Sequence, residues 1–161
     1  MYPGKATAAA IALGLIVCAT CVTADDKEPV YRNKPLSAWI EQLADRSATA
    51  RQEAAEAIGK IGTAAKPAIG PLVAVLADSD DTVRDAATQA LAAFGKDAVP
   101  SLLAALKHSD ADADMREAAI RALGAIGPDA KAAAPALRDA LTDKEQRIRE
   151  AAAAALKRIE K

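Results

Sequence analysis

Four arginines, Arg51, Arg84, Arg116 and Arg149, each follow an aspartate by six residues: Asp45, Asp78, Asp110 and Asp143. Taken singly, such a pair could move a proton or hold an anion. Recurrence at one spacing in four similar contexts favours a structural role. An aspartate in a turn between helices accepts from backbone N–H groups and pairs with arginine, so the eight residues read as a ladder tying one turn to the next.

The remaining reactive side chains form no catalytic constellation. His108 is the single histidine, and it stands beside Asp110, Asp112 and Asp114. Asp-x-Asp-x-Asp echoes a calcium loop but lacks the glycine and the later glutamate that such a loop needs. A solvated acidic turn is the preferred reading. Cys18 and Cys21 lie in an apolar N-terminal stretch, and the rest of the chain has no cysteine. Neither a Gly-rich phosphate loop nor a metal-spaced Cys/His set is present. The expectation is a non-enzymatic protein with no catalytic residues, no cofactor and no metal.

The elements that carry the ladder repeat. Residues 49–62, 82–95, 114–127 and 147–160 superimpose without a gap, at offsets of 33, 32 and 33 residues. Within each, apolar residues recur at three- and four-residue steps, as in Val83, Ala87, Ala90, Leu91 and Phe94. That is one face of a helix. Gly62, Gly95 and Gly127 come directly after the last apolar position, where helices stop. A shorter helix precedes each long one, with aligned apolar slots at Leu36, Trp39 and Leu43; Ile69, Leu72 and Leu76; Val99, Leu102 and Leu106; and Ala134, Leu137 and Leu141. Pro71, Pro100 and Pro135 fall near helix starts, where a missing N–H costs little. Trp39 occupies a slot held elsewhere by leucine and reads as core. Neither helix of a pair can bury its stripe alone, so the pairs stack into an α-solenoid.

The Asp-x5-Arg pairs and the run Val83-Arg84-x-Ala86-Ala87-x2-Ala90-Leu91-x2-Phe94-Gly95 resemble the HEAT repeat family, in its short, phycobilisome-lyase-like variety. The likeness covers residues 35–160. The opening Lys34-Pro35-Leu36-Ser37-Ala38-Trp39-Ile40 is similar to the first helix of secreted bacterial HEAT-repeat proteins. The resemblance implies an all-α fold, a right-handed α-solenoid of about four repeats, near 35–62, 63–95, 96–127 and 128–161. It departs from the regular pattern around Lys107–Asp114, where the turn is longer, and at Pro100, where the short helix begins sooner. Family functions are diverse, so the fold alone does not fix the activity.

Composition agrees with that architecture. Of 161 residues 44 are alanine, 52% are hydrophobic and only 2% aromatic. Alanine is the best helix former, and here it lets slender helices approach closely. Twenty-one basic against 22 acidic residues leave a net charge of −1, which argues against a nucleic-acid footprint. Residues 1–24 carry Lys5, an uncharged stretch from Ala6 to Val22 and the exit Val22-Thr23-Ala24. This reads as a secretory signal peptide cleaved after Ala24. The alternatives are an uncleaved anchor and a lipoprotein, though the residues before each cysteine suit lipidation poorly. Residues 25–34 read as a linker.

Export would place the chain in the periplasm or outside the cell, with no membrane span after cleavage. The expected activity is protein–protein interaction, along the long-helix face away from the core. Gln52, Glu56, Asp85, Gln89, Glu117, Ile120, Arg121 and Glu150 form the candidate face, with an acidic edge and Ile120 as its apolar anchor. The partner would be another protein, and self-association through the alanine-rich last helix is open. An accessory subunit or lyase-like enzyme, and a purely structural envelope element, are the alternatives.

Overall fold

The computed structural model describes residues 28–107 and 113–161. The predicted signal segment, both cysteines, and the His108, Asp110 and Asp112 part of the acidic turn lie outside these residues. Among the described residues, a short β-hairpin leads into eight α-helices. The short helices are α1 (Leu36–Gln42), α3 (Ile69–Val75), α5 (Val99–Lys107) and α7 (Ala134–Ala140). The long ones are α2 (Ala48–Ile61), α4 (Asp81–Ala93), α6 (Ala113–Ile126) and α8 (Gln146–Ile159).

The chain reverses at glycines. Gly62, Gly95 and Gly127 take φ of 68°, 56° and 72°, a left-handed conformation that only glycine adopts at low cost. The connections beyond these glycines differ between repeats. Seven residues of 3-10 helix, Gly62–Ala68 and Gly127–Ala133, lead into α3 and α7, whereas Gly95–Asp97 supplies three before α5. The shorter connection is why α5 starts early in its repeat.

Repeated alanine slots make the core. Ala54, Ala87, Ala119 and Ala152 are fully buried, and Ala57, Ala90, Ala122 and Ala155 are buried as well. Larger side chains fill the space between long and short helices: Ile58, Leu72, Leu91, Leu102, Leu123 and Leu137 are sealed from solvent. Each long helix also packs along its neighbours α2–α4, α4–α6 and α6–α8, while the short helices barely touch one another. Close spacing on one side and loose spacing on the other makes the long-helix side the inner face of the array.

Small residues permit this spacing. A Cβ on Gly59 would come within 3.1 Å of Ala90 Cα, and one on Gly124 within 2.9 Å of Ala155 Cα. Most short-helix slots are buried, Leu106 and Ala134 are half-buried, and Leu141 departs furthest. Leu141 is 39% exposed, although its equivalents Leu43 and Leu76 are buried. A further helix pair follows this position in the first three repeats, where Leu106 is half-buried, and no described element follows α7 and α8.

The predicted linker is structured from Val30 onward. Val30–Tyr31 (β1) pairs antiparallel with Lys34–Pro35 (β2). Arg32 and Asn33 turn the chain with φ of 51° and 60°, the two-residue hairpin geometry in which both central residues are left-handed. The hairpin lies on the first helix pair. Trp39 Nε1 donates to the Tyr31 carbonyl at 3.2 Å, and the Lys34 ammonium sits 4.1 Å above the indole ring. Glu28 accepts from the Ser37 backbone N–H and hydroxyl, and Leu36 N–H donates to the Pro29 carbonyl. These contacts satisfy donors that the start of α1 would otherwise leave open. Trp39 is buried beneath them.

Candidate partner-binding face

The ladder residues gather at the turns before the long helices. Arg51 reaches forward to the next repeat, with Nε 2.6 Å from Asp78 Oδ2 and Nη2 2.7 Å from Oδ1. Its Nη1 reaches back to the Asp45 carbonyl at 2.9 Å. Arg84 and Arg149 likewise donate to the carbonyls of Asp78 and Asp143 at 2.6 and 2.7 Å. Arg116 meets Asp143 at 3.4 Å. Arg51, Arg84 and Arg149 thus bind the backbone of their own repeat's aspartate, and Arg51 and Arg116 bind the carboxylate of the next. The spacing of six identifies the residues, and the ion pairs run across 27 positions.

The aspartates serve their turns as well. Asp45, Asp78 and Asp143 accept from the backbone N–H two residues on, at 2.8, 2.9 and 2.9 Å. The helix N-cap itself is the later residue, as at Asp80, which accepts from Thr82 and Val83 N–H. Hydrogen bonds from the Arg51 guanidinium hold the Asp78 carboxyl below the usual carboxylate range. Bonds from the Thr82 hydroxyl and N–H do the same for Asp80, and the Glu145 N–H does so for Asp143. These polar groups are engaged in holding the turns. Asp110 lies outside the described residues.

The candidate face divides into two rows. Glu56, Gln89 and Arg121 form an exposed ridge, flanked by Gln52, Asp85 and Glu117, which are half-buried, and Glu150, which is exposed. Ile120 does not belong to it. Ile120 is 0% exposed, and Ala55 and Thr88 at the equivalent slots are also buried, Thr88 donating to the Arg84 carbonyl. The apolar anchor is therefore corrected to a core residue. A long helix in this array is covered by its short partner and by neighbouring long helices, so its buried arc is wider than one amphipathic stripe. Gly59 and Gly124 are spent on the same long-helix contacts.

The acidic edge is corrected too. Arg121 bridges to Asp85 at 2.9 Å, and Arg147 pairs with Asp114 and Glu117 across repeats. Asp81, Asp85, Asp114 and Glu117 thereby share one hollow of about 360 Å³ with Arg84, Arg121 and Arg147, and its charges nearly cancel. Two further grooves open beside the ridge. One, of about 400 Å³, lies between α2 and α4 at Glu56, Lys60 and Gln89. The other, of about 380 Å³, crosses α6 and α8 and is floored by small residues. Among the described residues no group of His, Cys, Asp and Glu is arranged to hold a metal ion, and no helix is long and apolar enough to cross a membrane.

Stacked helix pairs, glycine reversals and an arginine–aspartate ladder define an α-solenoid repeat protein. The family model of HEAT repeats matches residues 36–112 and 69–157, and the chain belongs to that family. No curated protein matches it significantly. Similar solved structures include an engineered protein at 22% identity and TM-score 0.48, covering 78% of this chain and 62% of that one. A designed armadillo repeat protein in complex with the peptide (KR)4 is 23% identical with TM-score 0.47, over 77% of this chain and 64% of its own. Computationally designed armadillo repeat proteins for modular peptide recognition give 23% identity and TM-score 0.43, over 74% and 62%. The chain spans about three fifths of the length of each of these three.

Proposed function

We propose that this chain is a non-enzymatic scaffold that binds another protein along its long-helix face, after export to the cell envelope of a bacterium. The observation that carries the reading is the ridge of Glu56, Gln89 and Arg121, exposed beside open grooves on the inner side of the array. The ladder's polar residues hold the turns, whereas these three stand on the exposed ridge and change in charge character along one line, Arg121 keeping its bridge to Asp85. Such a surface offers hydrogen bonds and length, which suit a protein segment better than a small substrate. Export rests on the pattern of residues 1–24, a positive start, an apolar stretch and a small-residue exit.

The test is affinity capture from an envelope extract with the full chain, its triple variant Glu56→Lys/Gln89→Lys/Arg121→Glu, and a Lys96→Glu control on the turn after α4. The triple variant loses a partner that the wild type and the control retain. Equal recovery by all three refutes the face. Mass spectrometry of the exported protein checks the leader, with a mature chain beginning at Asp25 expected.

A further inference from the structure

The groove across α6 and α8 is a hollow on the long-helix face whose charged lining is purely cationic. Gly124, Ala125, Ala151 and Ala154 make its floor, and Arg121 and Arg158 stand at its sides. Both arginines are exposed. Arg121 is held in place by Asp85 at 2.9 Å, whereas no carboxylate pairs with Arg158 among the described residues. The neighbouring hollow at the start of these helices balances four carboxylates against three arginines, and the α2–α4 groove sets Glu56 against Lys60. Of these three hollows, only the α6–α8 groove has no carboxylate in its lining, and Arg158 stands there outside any ion pair among the described residues.

We infer that this groove docks an acidic segment of a partner protein, its carboxylates meeting Arg158 and Arg121 and its backbone lying on the glycine–alanine floor. The inference rests on the long-helix face being the binding face and adds the chemistry of what binds there. A floor without side chains beyond Cβ admits a backbone or small side chains closely, and guanidinium groups at the sides donate to carboxylates in bidentate fashion. Arg158 is available for this without breaking an existing ion pair. Complementary charge selects such a segment against a basic or neutral one.

Fluorescence anisotropy of the purified full chain tests it, using labelled peptides of alternating Glu and Ala and of alternating Lys and Ala. The acidic peptide binds and the basic one does not. Arg158→Glu weakens the acidic peptide about tenfold or more. Ala154→Trp, which fills the groove and leaves the charges untouched, weakens it comparably, with both variants retaining the wild-type circular dichroism. Equal binding of both peptides overturns the proposal. So does loss with Arg158→Glu but not with Ala154→Trp, which would mark diffuse attraction outside the groove. If the acidic peptide fails while the captured partner still depends on Glu56, Gln89 and Arg121, only the acidic-segment inference falls. If both fail, the face falls with it.

Discussion

Gly124 faces Ala155 across the α6–α8 contact so closely that an added methyl group would lie 2.9 Å from both Cα and Cβ of the alanine. The equivalent approach of Gly59 to Ala90 is 3.1 Å. Glycine inside a helix costs about 0.5–1 kcal/mol relative to alanine, so these positions give up helix propensity for a close contact. The two distances predict different outcomes for the same substitution. Gly124→Ala forces backbone apart and destabilises by about 1–3 kcal/mol. Gly59→Ala is close to neutral, because the propensity gain offsets a milder crowding. Urea denaturation of both variants checks the ranking, and equal losses would contradict it.

The Arg51–Asp78 pair joins two repeats through two hydrogen bonds, and both side chains are mostly covered. Asp78→Ala removes the acceptor, leaves the guanidinium only its bonds to the Asp45 and Arg46 carbonyls and frees the Asp80 N–H, for an expected loss of about 2 kcal/mol. Arg51→Lys keeps little of the pair's contribution, since an ammonium cannot engage both oxygens in the guanidinium's parallel geometry. Asp45→Ala, where the carboxylate holds only the Ser47 N–H, costs less, about 0.5–1 kcal/mol. Denaturant midpoints of the three variants measure the order.

Acid sensitivity arises from the same turns. The carboxyls of Asp78, Asp80 and Asp143 are lowered in the folded chain, by Arg51, Thr82 and the Glu145 N–H respectively. Lowered values stabilise the fold while the groups are ionised. The contribution is complete above the unfolded carboxylate value of about 3.9 and is lost as pH falls through the folded values. The melting temperature is therefore flat from neutral pH to about pH 5 and falls below about pH 4. Asp78→Asn has a lower plateau and a shallower fall, measured by thermal melts across that range.

The N-terminal hairpin can be improved. Arg32 and Asn33 both hold positive φ, and a turn of this geometry favours Asn followed by Gly. Arg32→Asn/Asn33→Gly is expected to stabilise by about 0.5–1 kcal/mol. It sacrifices the exposed Arg32–Glu53 contact at 3.6 Å, and such surface pairs contribute little. Asn33→Val goes the other way, since a β-branched residue resists positive φ. Trp39 fluorescence, from the single tryptophan of the chain beneath the hairpin, reports both changes.

Repetition makes most of the fold legible without coordinates. The slots of Ala54, Ala87, Ala119 and Ala152, the stops at Gly62, Gly95 and Gly127, and Trp39 in a leucine position all come from periodicity, because each repeat sees nearly the same neighbours. The hairpin is harder to read, since two two-residue strands carry no period and only Asn33 marks the turn. Aspartates spaced six residues before arginines reveal the ladder's members but leave its partners open. Which aspartate an arginine reaches is set by how one repeat lies on the next.

The binding face shows the same division. Local sequence determines which residues lie opposite a helix's apolar stripe, and on that basis Ile120 belongs with Glu56, Gln89 and Arg121. Only the tertiary structure decided that a long helix is covered on more than one side, which buries Ile120 and leaves the other three exposed. Likewise Asp85 and Glu117 are acidic in sequence, but Arg121 and Arg147 from adjacent repeats offset their charge. Periodicity is a property of one helix. Burial and electrostatic potential are properties of contacts between helices, fixed only when the repeats stack.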